Sequence, residues 1–398
     1  MRALLLEGIH PDAVNRFTAE GYEVESLTRA LDPDELALRI ADVQVLGIRS
    51  KTQVTAEVLK SASQLMAIGA FCIGTDQIDL AAASATGTAV FNAPFSNTRS
   101  VVELALAEII ALTRRLTEKN AGMHNGVWDK AADGSHEVRG RSLGIVGYGN
   151  IGTQLSVLAE NLGMRVYFYD TADKLALGNA KRCATLDELL DVADVVTLHV
   201  DGRAGNKSFF GEDQFARMRE HSIFLNLSRG FVIDHAALRR HLESGHLVGA
   251  AIDVFPEEPK GRGDEFRSEL RGLPNVILTP HIGGSTEEAQ ADIGTFVANK
   301  LVQYVSEGAT TLSVNLPSVV LPQQPATHRL VHVHRNTPGV LAAVNGILAQ
   351  HDVNVEGQLL STRGDIGYLL TDIGVDYADD VLAQLTAMTQ TIRLRVLS

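Results

Sequence analysis

Cysteine is nearly absent from this chain of 398 residues, which holds only Cys72 and Cys183. Two cysteines support neither a disulfide framework nor a ligand cluster with zinc spacing, so no metal is expected and a cytoplasmic, reducing setting suits the chain. Positive charge is also scarce. The formal net charge is −13, and with no basic stripe a nucleic-acid partner is disfavoured. No apolar run approaches the roughly 18 residues that span a bilayer, so no membrane partner is expected. The opening Met1-Arg2-Ala3-Leu4-Leu5-Leu6-Glu7 meets an acid too early for a leader's apolar core and reads as a first β-strand. What remains is 45% apolar and 21% charged, a globular balance, in a length that implies two or three domains.

What the chain does have is Gly147-Tyr148-Gly149-Asn150-Ile151-Gly152 in a telling context. Ser142 to Val146 before it reads as a buried strand, Gln154 to Leu162 after it as a helix, and Met164 to Tyr169 as a second strand. That strand ends in Asp170, 18 residues past the last glycine. Strand, glycine turn, helix, strand and acid together are the dinucleotide-binding fingerprint, in which amide N–H groups at a helix start face the pyrophosphate. Asp170 favours NAD over NADP, because a carboxylate accepts from a ribose hydroxyl and repels a 2′-phosphate.

The expected architecture is α/β. A Rossmann-type doubly wound parallel sheet over 98–284 is joined by a flavodoxin-like, discontinuous domain built from 1–97 and 285–315. Thr98 to Asn120 reads as one connecting helix. Pro317, Pro322 and Pro325 with Gln323 and Gln324 mark a linker over 316–327. Residues 328–398 then follow a β-α-β-β-α-β order, a small ferredoxin-like unit.

Three segments place polar groups at strand ends, where open α/β sheets bind ligands. In Leu225-Asn226-Leu227-Ser228-Arg229-Gly230, Arg229 can clamp a carboxylate bidentately, or can simply be a surface arginine. In Asp253 to Pro259, two prolines fix where Asp253 and Glu258 point, although either acid alone would serve equally as a solvated or capping carboxylate. In Thr279-Pro280-His281-Ile282-Gly283-Gly284, a histidine suited to proton transfer sits between proline and glycines. A histidine by itself is more often structural, but arginine, acid and histidine after strands of one sheet make a candidate site.

With those segments, together with Ala67 to Asp76 and Asn92 to Ser100, the chain resembles the D-isomer-specific 2-hydroxyacid dehydrogenases, and within them the phosphoglycerate branch. The resemblance implies NAD-dependent oxidation of 3-phospho-D-glycerate to 3-phosphooxypyruvate, the first step of L-serine synthesis. It implies that His281 is the acid/base, that Glu258 hydrogen-bonds the imidazole and raises its pKa, and that Arg229 holds the carboxylate. Asp253 would contact the nicotinamide side of the cofactor. Arg49, Ser50 and Lys51 would bind the phosphate, with Asn97 a further substrate-side residue; the residue-level alternative for Arg49 and Lys51 is a solvated basic loop. The alternatives are reduction of 2-oxoglutarate to 2-hydroxyglutarate, action on another D-2-hydroxy acid, or an NAD-sensing binding protein or corepressor on the same scaffold.

Residues 328–398 resemble an ACT domain, which implies L-serine as effector, bound by His334, Asn336 and Asn354. Turn and cap chemistry is the bland alternative for these three. Side-by-side pairing of such tails, with dimers formed twice over, leads to an expected homotetramer. Asn120 to Trp128 departs from the more basic stretch of close relatives, which puts any secondary anion site there in doubt. The lone Trp128 is a candidate subunit contact or a core residue.

Overall fold

The computed structural model describes residues 1–259, 263–322, 327–374 and 379–397. Residues 323–326, within the stretch expected as a linker, lie outside that description. Two compact units result, Met1–Pro94 with Gln290–Ser398, and Phe95–Ala289. Among the described residues no helix is long and apolar enough to cross a membrane.

The first unit opens with β1 (Arg2–Leu5), β2 (Glu23–Ser26), β3 (Val45–Ile48), β4 (Ala67–Ala70) and β5 (Ala89–Phe91). All pair in parallel in the order β2-β1-β3-β4-β5, the flavodoxin-like arrangement. Strands β3, β4 and β5 are buried along their whole length because apolar clusters cover both faces. The covering helices start where Asp32, Thr55 and Asp79 accept N–H groups of the first turn.

In the second unit β6 (Ser142–Val146), β7 (Arg165–Tyr169), β8 (Lys181–Arg182), β9 (Val195–Leu198), β10 (Ser222–Asn226), β11 (Leu247–Ile252) and β12 (Val276–Leu278) form one parallel sheet. Its order is β12-β11-β10-β9-β6-β7-β8, so the winding reverses between β6 and β9. The crevice beyond those two strand ends is where such sheets bind ligands. The stretch Thr98 to Asn120 differs from the expected single helix. It breaks into helices Thr98–Thr113 and Leu116–His124, because Arg115 takes a left-handed φ of 51° and turns its guanidinium onto Glu118 at 2.5 Å.

The tail forms β13 (Thr327–Arg335), β14 (Val355–Arg363), β15 (Ile366–Gly374) and β16 (Thr391–Leu397), antiparallel in the order β14-β15-β13-β16. With helices Val340–Gln350 and Asp379–Ala387 on one face, this is the expected ferredoxin-like unit. The other face is not left to solvent. Val331, Val333, Tyr368 and Leu370 join a cluster with Phe91, Val297 and Tyr304 of the same unit. Arg329 pairs bidentately with Asp372 at 2.7 and 2.8 Å while donating to the Glu307 carbonyl, and Tyr368 donates to the Gly308 carbonyl at 2.6 Å. Leu316 and Val319, in the first half of the stretch expected as a linker, are buried. Their apolar side chains find a core to enter, so this half is packed chain rather than a solvated spacer.

Candidate active site

The glycine turn follows β6 at the reversal of winding. Gly147 has φ +94°, and a Cβ there would stand 2.5 Å from the His199 carbonyl oxygen at the end of β9. A Cβ on Gly152 would strike the Gly147 carbonyl oxygen at 2.3 Å, so only glycine lets the helix approach the strand. Gly149 has open space where a Cβ would stand, and no side chain caps the helix Asn150–Asn161 that it starts. A bare helix N-terminus with an open glycine beside it fits a pyrophosphate. Asn150 and Ile151 open that helix. Asp170, at the end of β7, accepts from the Tyr148 N–H at 2.8 Å and from the Ala172 N–H at 2.8 Å. A carboxylate retains lone pairs for ribose hydroxyls beyond those two bonds. The Tyr148 side chain points elsewhere: it is buried, stacks on Phe168 at 3.7 Å and shares a hydrogen bond with Ser156.

His281, Glu258, Asp253 and Arg229 come together at the ends of β10, β11 and β12. The His281 Nδ1 lies 2.9 Å and 3.1 Å from the two Glu258 carboxylate oxygens. That bond raises the His281 pKa, against the opposing effect of burial. Burial works to raise Glu258, but the hydrogen bond and charge of His281, the Phe255 N–H and Arg229 outweigh it, and the carboxyl falls below its ordinary range. With Nδ1 engaged, Nε2 is the nitrogen left for a substrate proton.

His281 itself has φ +55°, a left-handed backbone uncommon outside glycine, though histidine adopts it more readily than most. Asp253 holds it there. Its Oδ1 accepts from the Thr279 hydroxyl at 2.6 Å and the Ile282 N–H at 2.8 Å, and its Oδ2 from the Gly283 N–H at 2.9 Å. Asp253 is therefore first of all a clamp on the loop that carries the histidine. Asn97, just before helix Thr98–Thr113, lies against the same loop: a Cβ on Gly284 would meet its Nδ2 at 2.4 Å. Arg229 is placed by a turn built on buried Asn226, whose Oδ1 accepts from Ser228 N–H and Oγ and whose Nδ2 donates to the Arg229 carbonyl. Gly230 packs so closely on Phe255 that a Cβ would stand 2.0 Å from its carbonyl carbon. Arg229 lowers both the Glu258 and His281 pKa values, which places its charge near both.

Asn226 was not among the expected site residues, although a polar residue ending an apolar strand was a signal. Glu108 was missed too. It occupies a core position of helix Thr98–Thr113, 3% exposed, with neither carboxylate oxygen hydrogen-bonded among the described residues. Burial, and secondarily the Asp253 charge, push its pKa up to about 8. A lone acid inside the stripe Val101, Ala105, Leu112 was the legible sign.

Arg49, Ser50 and Lys51 belong to the first unit, in the loop after β3, with Ser50 and Lys51 exposed. In the tail, His334 and Asn336 lie at one end of the four-stranded sheet, where His334 pairs with Gly367. Asn354 precedes Val355, which pairs with Ile373 at the other end. Six residues of strand separate those ends, about 20 Å. One chain therefore does not bring the three together. His334 is buried, its Nδ1 bonded to the Arg335 carbonyl and its Nε2 without a partner among the described residues.

Residues 106–283 match the family model described as D-isomer specific 2-hydroxyacid dehydrogenase, NAD binding domain, and residues 330–393 match the AHAS small subunit-like ACT domain. The chain belongs to the D-isomer-specific 2-hydroxyacid dehydrogenase family. Its full-length relatives there include D-3-phosphoglycerate dehydrogenases. It is 50% identical to that of Haemophilus influenzae over all of this chain and 97% of the relative. It is 47% identical to that of Dictyostelium discoideum with the same coverage. Among solved structures, D-2-hydroxyisocaproate dehydrogenase matches with a TM-score of 0.71 and 26% identity, over 79% of this chain and all of that one. The chain is thus an oxidoreductase with an NAD-binding domain and a C-terminal ACT domain.

Proposed function

We propose that this chain oxidises the C2 hydroxyl of 3-phospho-D-glycerate, giving 3-phosphooxypyruvate, as the first step of L-serine synthesis. NAD supplies the acceptor for the hydride that leaves C2. The Nε2 of His281 takes the hydroxyl proton, and Glu258, bonded to Nδ1, stabilises the imidazolium that forms. Arg229 binds the carboxylate and draws electron density toward the forming carbonyl oxygen. Asp253 keeps His281 in its strained backbone by holding Thr279, Ile282 and Gly283. Gly147 to Gly152 would carry the pyrophosphate and Asp170 the ribose. Arg49, Ser50 and Lys51 would meet the phosphate, with Asn97 on the substrate side.

The observation that carries this reading is the 2.9 Å bond between His281 and Glu258, with an arginine charge felt by both. The test is NADH formation with 3-phospho-D-glycerate, D-glycerate and D-2-hydroxyglutarate compared. The phosphorylated substrate is expected to lead in kcat/KM, and a chain as effective on either of the others would sink the assignment.

L-serine is the effector this reading gives the tail. The Nε2 of His334, buried and without a partner among the described residues, is a polar atom that a ligand could satisfy. Asn336 and Asn354 supply amides for a carboxylate and an ammonium. Because they lie at opposite ends of the sheet, two copies set side by side would complete each site. A cytoplasmic homotetramer follows, with Trp128, 78% exposed, offered to another subunit.

A further inference from the structure

Glu7 is not part of the acid/base set, yet three main-chain N–H groups converge on its carboxylate. Its Oε1 accepts from Arg49 N–H at 3.2 Å and Thr52 N–H at 2.8 Å, and its Oε2 from Lys51 N–H at 3.0 Å. We infer that Glu7 is a positioning residue for phosphate recognition, filling with its own carboxylate the backbone nest of the Arg49–Thr52 loop so that a substrate phosphate is left to Ser50 and the side chains of Arg49 and Lys51. The inference rests on the phosphorylated substrate proposed above.

The local backbone is built to deliver that carboxylate. Glu7 has φ +65°, a conformation few side chains adopt without cost. It is held there by bonds from Leu6 N–H to the Gly47 carbonyl, from Glu7 N–H to Arg29 and from Gly8 N–H to Leu27, at 2.9, 3.1 and 3.0 Å. A strained residue pinned on both sides, with both carboxylate oxygens engaged, is a feature that needs a reason.

Successive N–H groups pointing inward form an anion-binding concavity. Left open, this one would compete for the same phosphate that the loop's side chains must orient. Filled by Glu7, it becomes a rigid base, with Gln77 bracing the loop from the other side through a 2.6 Å bond to the Arg49 carbonyl. Ser50 is the one residue of the loop whose N–H Glu7 does not take. The anion that organises the loop and the anion that it reads are thus different groups.

Glu7→Gln keeps the volume but replaces one acceptor oxygen with a donor, which opposes the Lys51 N–H. Its KM for 3-phospho-D-glycerate is expected to rise roughly tenfold or more, with kcat changed little. Its kcat/KM for D-glycerate and its NAD affinity by titration calorimetry should stay near wild type, and inorganic phosphate should weaken as a competitive inhibitor. Equal losses on both substrates, or an unchanged phosphate preference, would overturn the role. Should Glu7→Gln not fold, Glu7→Asp, one methylene short, is expected to show the same selective loss. A wild-type chain with no preference for the phosphorylated substrate would instead remove the substrate reading beneath it.

Discussion

The loop that carries His281 and the end of the tail sheet that carries His334 use histidine in opposite ways. At His281 every neighbour is in place within one chain: Glu258 on Nδ1, Asp253 under the loop, Arg229 near both. At His334 the nitrogen proposed to meet a ligand is buried and without a partner among the described residues, and Asn354, proposed to share that ligand, is at the far end of the sheet. The first site is preorganised, as the acid/base role proposed for it requires, since groups fixed before reaction cost no reorganisation during it. On the reading proposed above, the second is half a site. An incomplete site sensitive to a second copy is the kind of element through which a ligand biases assembly or domain closure.

The largest expected effect breaks the first half of that contrast. His281→Ala should lower turnover about 10²–10⁴-fold with substrate binding largely kept, and an unimpaired variant would end its role as acid/base. Glu258→Gln should act through the same imidazole. Glu258 raises the His281 pKa, so removing its charge lowers it, and the acid limb of the pH profile for oxidation should move to lower pH. A fixed limb would mean that another group sets it.

For the tail, Asn336→Ala and Asn354→Ala should each lose the inhibition by L-serine that the proposed effector site predicts, if that site is shared between two copies in the proposed tetramer. Mixed tetramers of the two should regain a fraction of it, because a double-mutant site leaves an intact site opposite. Mixtures as insensitive as the parents would argue for a site within one chain.

The smallest effect concerns Glu108. Its folded pKa of about 8 lies above the unfolded value, so between about pH 4.5 and 8 the folded state holds a proton that the unfolded state releases. Stability should therefore fall as pH rises through that window. Glu108→Gln should be more stable than wild type by about 4 kcal/mol at pH 8, with the gap narrowing toward pH 5, read from thermal unfolding at the two values.

Much of this was legible in the chain as written. The glycine turn, its flanking strands and Asp170 are set by residues close in sequence, and the central strands of both parallel sheets are apolar runs, whereas the edge strands β2 (Glu23–Ser26) and β8 (Lys181–Arg182) carry no such signal. The arginine, acid and histidine that meet beyond β10, β11 and β12 were visible as polar groups after buried strands. Less legible were the bounds of elements. Arg115 ends a helix in mid-pattern because a left-handed residue outweighs an unbroken run of helix formers. The clamp that Asp253 makes on the His281 loop was hidden as well, since one letter cannot say that two carboxylate oxygens reach residues 26 to 30 positions away.

Sequence by itself settled the central apolar strands and where the glycine turn lies, because those follow from periodicity and short spacings along the chain, and its motifs carried the family resemblance. Tertiary structure alone decided that Glu7 fills the loop at Arg49 to Thr52, that Glu108 is shut in where it feels Asp253, and that the tail's open face is covered by its own unit. Local propensity reaches only a few residues. A half-buried carboxylate such as that of Glu7 is satisfied by whatever packing brings to it, and here that came from more than forty residues away.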